Sequence, residues 1–256
     1  MRGYYRLLNH EFSSMLRAVV FLCVGTIVSP LLFLNAAMKG YDRYSVHQRF
    51  EDIYASSGCI IVFLIYFAAL CVFFLKSIYA NYWGSKSIYT YLTLPVKREA
   101  VYFSKLSAFS VCMMMLLASQ LVSVMLGYSL VTAKVASIHE GEYVMNNGLF
   151  LAFIRSDFLR LLLPLSFSGL LSTVSIGIAL ITGVYYGALC ERSKRYWGFI
   201  FIVAALAVMI NVLGKRTEQS FYTPGNHLYL ASAALLVLSG FFVWHSIRLM
   251  KKGAIA

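Results

Sequence analysis

Six stretches of this chain, residues 18–37, 57–75, 106–133, 161–190, 197–213 and 228–247, contain no Asp, Glu, Lys or Arg. A helix rises about 1.5 Å per residue, so each can cross a hydrocarbon core of about 30 Å, given some 17 residues or more. Hydrocarbon offers backbone amides no hydrogen-bond partner, and a helix satisfies its own. The expected fold is therefore all-α, a polytopic membrane protein with six transmembrane helices in a single domain, residues 1–256. Composition agrees: 60% of residues are hydrophobic and 12% charged, with a mean hydropathy of +0.75, whereas soluble domains carry about 25% charged residues. Six spans leave only short connections, which excludes a sizeable soluble domain. The runs 106–133 and 161–190 are longer than the core requires and should tilt or project beyond it.

The first 17 residues mix Arg2, Arg6 and Arg17 with Tyr4, Tyr5, Leu7, Leu8, Phe12 and Met15, a pattern that suits an interfacial helix lying along the membrane surface. A cleaved signal peptide fits less well, because the charged region is long and the run after it spans on its own. Residues 149–160 follow a turn at Asn146-Asn147-Gly148 and are too short in apolar length to span, so they are expected to form one helix at or dipping into the outer interface. With the N-terminus inside, 14 of the 22 Lys and Arg fall on the cytoplasmic side and 8 outside, which places both termini in the cytoplasm. The net charge of +12 is then a topology signal, scattered over short loops, and does not mark a nucleic-acid surface.

The longest charge-bearing connection on the positive side is residues 81–106. Ser85 can cap a helical turn, Ile88, Tyr91 and Leu92 share one face, and Pro95 ends the helix because it lacks an N–H and disfavours helix at Leu94. A second helix starts through Val96, Lys97, Arg98 and Glu99 and runs into the third span. The result is an elbow with a basic corner. On these residues alone the favoured reading is a surface helix whose Lys97 and Arg98 touch lipid phosphates.

Gly84 and Ser85, Leu94-Pro95, Lys97-Arg98, and Lys105 seven residues further on resemble the first cytoplasmic loop of the permease subunits of ABC-2-type ABC transporters. Many members carry a Glu shortly before the glycine, where this chain has Tyr79, Asn81, Tyr82 and Trp83. The resemblance implies that residues 85–104 form a cytoplasmic coupling helix seated on a separate ABC ATPase subunit, with Ser85, Ile88, Tyr91, Leu92, Leu94, Pro95, Lys97 and Arg98 making the contact. It implies a multi-pass protein of the plasma membrane, from a small bacterial branch similar to peptide exporters. The chain would work with a second permease copy or a similar permease, and ATP and Mg would be bound by the partner subunit rather than by this chain.

In the fourth span Gly169, Thr173 and Gly177 recur every fourth position, and Gly183 and Gly187 form a GxxxG spacing. Small residues at these intervals let helices approach closely, so helix packing is the expected role. Pro30 and Pro164 are expected to kink their spans. Cys23, Cys59, Cys71, Cys112 and Cys190 lie within or at the ends of spans with no CxxC, which reads as apolar packing. His245, near the end of the last span, reads as an interfacial neighbour of Arg248.

The chain has no phosphate-binding loop, no HExxH and no carboxylate pair within a span, so it is not expected to be an enzyme and carries no metal site. Spans free of Asp, Glu, Lys and Arg also argue against ion coupling. Energy would then come from outside the chain. The leading expectation is the transmembrane subunit of an ABC exporter for an amphipathic or hydrophobic cargo, with peptides favoured. The alternative is a non-transporting sensor, immunity or assembly protein that binds a cytoplasmic partner through the same elbow.

The topology is tested by single-cysteine labelling from outside intact cells. A cysteine at Glu140 should label strongly and one at Lys97 weakly, and the reverse result would invert the assignment.

Overall fold

A computed structural model describes residues 2–40, 49–80, 98–138, 148–218 and 226–251. Among them the chain is helical and strand-free: α1 (Arg2–Ala37), α2 (Phe50–Ser56), α3 (Cys59–Ala80), α4 (Arg98–Ile138), α5 (Leu149–Arg155), α6 (Asp157–Leu162), α7 (Phe167–Arg192), α8 (Gly198–Glu218) and α9 (Asn226–Lys251), with a 3-10 turn over Met38–Gly40. Six of these, α1, α3, α4, α7, α8 and α9, are long and apolar enough to cross a membrane. Side chains such as Phe21, Ile65, Val203 and Val237 stand exposed on them. That surface is stable only against lipid or another apolar partner.

The helices outrun their apolar runs. At 41 residues α4 is about 60 Å long, twice the hydrocarbon core. Flanking charged residues are good helix formers, and nothing between Arg98 and Ile138 breaks the backbone ladder. For the same reason residues 2–17 are helical but not a separate element, since α1 continues from them without a break and runs on through Pro30. Pro164 does more than kink: residues 163–166 leave the helix altogether, so the fourth span begins at Phe167 rather than at 161. Ser166 caps the new start, its hydroxyl accepting from Gly169 N at 3.2 Å. Residues 149–160 also divide in two, because Ser156 is extended and caps α6, with its side chain accepting from Leu159 N.

The described residues fall into two compact units, one gathering those of Met1–Leu16, Cys71–Cys112 and Pro164–Ala256, the other those of Arg17–Leu70 and Met113–Leu163. In the second, the C-terminal parts of α1 and α4 pack with α2, α5 and α6 around Leu34, Phe50, Ile53, Tyr54, Val124, Val131 and Leu159. A Cβ at Gly127 would stand 2.7 Å from Leu34 Cδ1, so the glycine sets how closely α4 meets α1. Gln120 donates to the buried Tyr54 hydroxyl at 2.6 Å. Gly58, at φ +81, makes the left-handed turn from α2 into α3.

In the first unit α9 packs on both α7 and α8, which also pack on each other. A five-residue connection joins α7 to α8. The last turn of α7 closes by two hydrogen bonds of 3.1 Å, Arg195 N to Cys190 O and Lys194 N to Glu191 O, with Lys194 in the left-handed region at φ 51. This is the Schellman closure, here with lysine where glycine is usual. Just beyond, Gly198 lies against α7: a Cβ there would overlap Cys190 Sγ and stand 2.8 Å from Tyr186 Oη, both on buried residues.

Gly198→Ala should therefore cost about 1–3 kcal/mol, as other overpacked sites do, read as a lower thermal midpoint in detergent. Gly240→Ala, where nothing lies within 4 Å, should leave the midpoint unchanged or slightly raised.

Candidate functional site

Of the expected coupling residues, Ser85, Ile88, Tyr91, Leu92, Leu94, Pro95 and Lys97 lie outside the described residues, and Arg98 is the first residue of α4. What is described is the root of this connection, the two helix ends that flank it. The segment leaves α3 at Ala80 and enters α4 at Arg98, and both helices are fastened within the first unit close to those ends.

At the penultimate residue of α3, the Tyr79 hydroxyl donates to a carboxylate oxygen of Glu191 near the end of α7. One turn deeper, Phe74 stacks on Phe109 of α4 at 3.9 Å between ring centres, and Tyr185 of α7 meets Tyr102 of α4 edge to face at 4.8 Å. All four rings are buried. Aromatic pairs in these geometries contribute about 0.5–1.5 kcal/mol each beyond their burial, so the cluster ties α3, α4 and α7 into one rigid root.

The start of α4 is held from the other side by α1. Lys105 Nζ lies 3.1 Å from Glu11 Oε2 with both side chains almost fully buried, and Tyr4 and Ser107 share a 2.7 Å hydrogen bond. At the surface Glu99 pairs with Lys251 of α9 at 2.6 Å, both partly exposed. An exposed pair of this kind is worth about 0–1 kcal/mol. The buried one differs in kind, since removing one partner leaves a charge in an apolar interior.

Charged side chains are buried just outside the uncharged runs. Lys105 and Glu11 are buried together, and Arg216 is buried with its guanidinium donating to Thr173 Oγ1 at 2.7 Å. Glu51, in α2, is buried as well. The helices extend past their uncharged runs, and that extension carries flanking charges into the packed bundle.

The small residues of α7 face two different surroundings. A Cβ at Gly169 would stand 3.0 Å from Ser166 Oγ and 3.1 Å from Pro164 Cβ, and Thr173, one turn on, receives Arg216. Gly177 is half-buried. Gly183 and Gly187 line an apolar groove of about 500 Å³, together with residues of α3, α8 and α9. A Cβ would meet Phe242 at 3.7 Å from Gly183 and Ile202 at 3.3 Å from Gly187. Tyr79 and Glu191, hydrogen-bonded to each other, are the polar side chains of its lining.

Compared with known proteins, the chain matches no family model, no curated protein and no solved structure. Among the described residues no group of three His, Cys, Asp or Glu is placed to hold a metal, and the five cysteines are free thiols. The aromatic root and the Glu11–Lys105 pair escaped the sequence reading because their members lie far apart in the chain. Glu11 does leave one trace, as the single acidic residue in an Arg-bearing N-terminal stretch.

Glu11→Leu and Lys105→Met should each destabilise the protein by about 3–5 kcal/mol, whereas the two combined should lose less than the sum of the single changes. Unfolding midpoints of the four proteins in one detergent measure the coupling.

Proposed function

We propose that this chain is the transmembrane subunit of an ABC exporter of the ABC-2 type, driven by ATP hydrolysed on a separate cytoplasmic subunit. The reading is carried by one observation, the pattern Gly84-Ser85, Leu94-Pro95, Lys97-Arg98 in a short connection between two spans. The fastened root supports it mechanically. A push on residues 85–98 meets two helix ends tied to α1, α7 and α9, so it would move helices instead of bending a loose loop.

In this reading the elbow seats in a groove of the ATPase, with Ile88, Tyr91 and Leu92 as its apolar face and Arg98 at the rim. Lys105, although part of the resemblance, is turned inward onto Glu11 and makes no contact with the ATPase. Two permease copies, or this chain and a similar one, bound the pathway. Both termini are cytoplasmic, and the apolar groove with a single carboxylate suits an amphipathic cargo such as a peptide.

The test is whether an ABC ATPase gene adjoins that of this chain, followed by co-expression of the two; the absence of such a gene favours the non-transporting reading. The ATPase should co-purify, and ATP turnover should require both proteins. A docked apolar anchor contributes about 2 kcal/mol or more and a rim charge much less, so Leu92→Ala should lower co-purification and turnover more than Arg98→Ala. Pro95→Ala should uncouple by letting the first helix run on. Normal coupling in all three variants with normal insertion, or turnover by the purified chain alone, would overturn the reading.

A further inference from the structure

Where α7 ends, α8 begins and α9 ends, the first unit opens a second cavity of about 700 Å³ whose chemistry differs from that of the apolar groove. Lys194, Arg195 and Arg248 line it, all exposed, and no acidic residue does. Among the described residues none of the three forms a salt bridge. Bringing three cations to one cavity without a counter-charge costs repulsion, which an anion would relieve.

The rest of the lining narrows that anion's nature. Trp197 and Trp244 stand largely exposed at the rim, where indoles collect at the boundary between hydrocarbon and water. The Arg248 guanidinium lies over the Trp244 ring, 5.5 Å from its centre, which orients the cation. At the floor the Tyr186 hydroxyl is hydrogen-bonded to His245 Nδ1 at 2.8 Å. From the rim, exposed apolar side chains on the same helix faces, Phe201 of α8 and Val237 of α9, run along the spans. The complementary ligand is anionic at one end and apolar along the rest of its length.

We propose that this cavity binds the phosphate headgroup of an anionic phospholipid, its acyl chains lying against α8 and α9. Basic pockets between membrane helices at a span end hold such headgroups by the same charges. The Schellman closure contributes directly: the left-handed turn at Lys194 sets Lys194 and Arg195 beside Arg248, which belongs to a different helix. A free phosphate compound shares the anionic chemistry but has no use for the apolar flank.

The full chain in detergent is titrated with phosphatidylglycerol and with phosphatidylcholine, and bound lipid is counted by native mass spectrometry. Glycerol 3-phosphate is titrated as competitor. Phosphatidylglycerol should bind in preference to phosphatidylcholine and outlast a large excess of glycerol 3-phosphate. Neutralising Lys194, Arg195 or Arg248 to Gln should weaken it roughly fivefold each and about a hundredfold together. Neutralising Lys39, Lys134 and Arg155 in the second unit should change nothing. On the unaltered chain, a photoreactive phosphatidylglycerol should cross-link to residues 193–201 and 241–248. Equal binding of the two lipids, undiminished binding in the triple variant, cross-links elsewhere, or displacement by glycerol 3-phosphate at the lipid's own concentration would overturn the proposal.

Discussion

Backbone amides in hydrocarbon must find their partners within the same segment, and the rest of this structure follows from that requirement. It explains why described residues that cross are helical, and why helix breaks fall at residues that bring their own hydrogen-bond acceptors. Ser156 and Ser166 each cap the helix that begins beside them, so the interruption around Pro164 does not leave the first amides of α7 wholly unpaired. It also explains why Lys194 tolerates a left-handed backbone, since the turn satisfies two carbonyls at the end of α7.

A second consequence concerns charge. Because α1, α4 and α8 continue well past their uncharged runs, residues that look like loop charges in the sequence become residues of packed helices. Glu11, Lys105 and Arg216 are the examples, and each is held by a side chain from another helix. The aromatic cluster of Phe74, Tyr102, Phe109 and Tyr185 is the apolar counterpart: long-range packing that draws together three helices at the point where the chain leaves α3 and returns in α4.

The number of spans and the all-helical fold were legible in the sequence because uncharged length reports directly on the solvent. Boundaries were less so. Uncharged length marks the hydrocarbon, whereas a helix stops where its hydrogen-bond ladder is broken, and the two differ by up to 16 residues at the start of α1. The root of the elbow was illegible for another reason: Tyr79 and Glu191, or Glu11 and Lys105, meet only once the helices are packed, and no local spacing encodes the meeting. The small-residue spacing of α7 showed that something approaches closely, but not that one stretch would meet Arg216 and the other would line a groove.

The short connection between α7 and α8 bears on how the protein is made. Five residues are too few to let the helices lie far apart in a bilayer, and the two pair as a hairpin. Either end of that hairpin carries cations, Lys194 and Arg195 at the turn or Arg216 at the open end, and moving an unaccompanied arginine through hydrocarbon is costly. Arg216 is accompanied: its hydrogen-bond acceptor, Thr173, sits on the other limb of the same hairpin. The pair can therefore be assembled during insertion, before α9 has been synthesised.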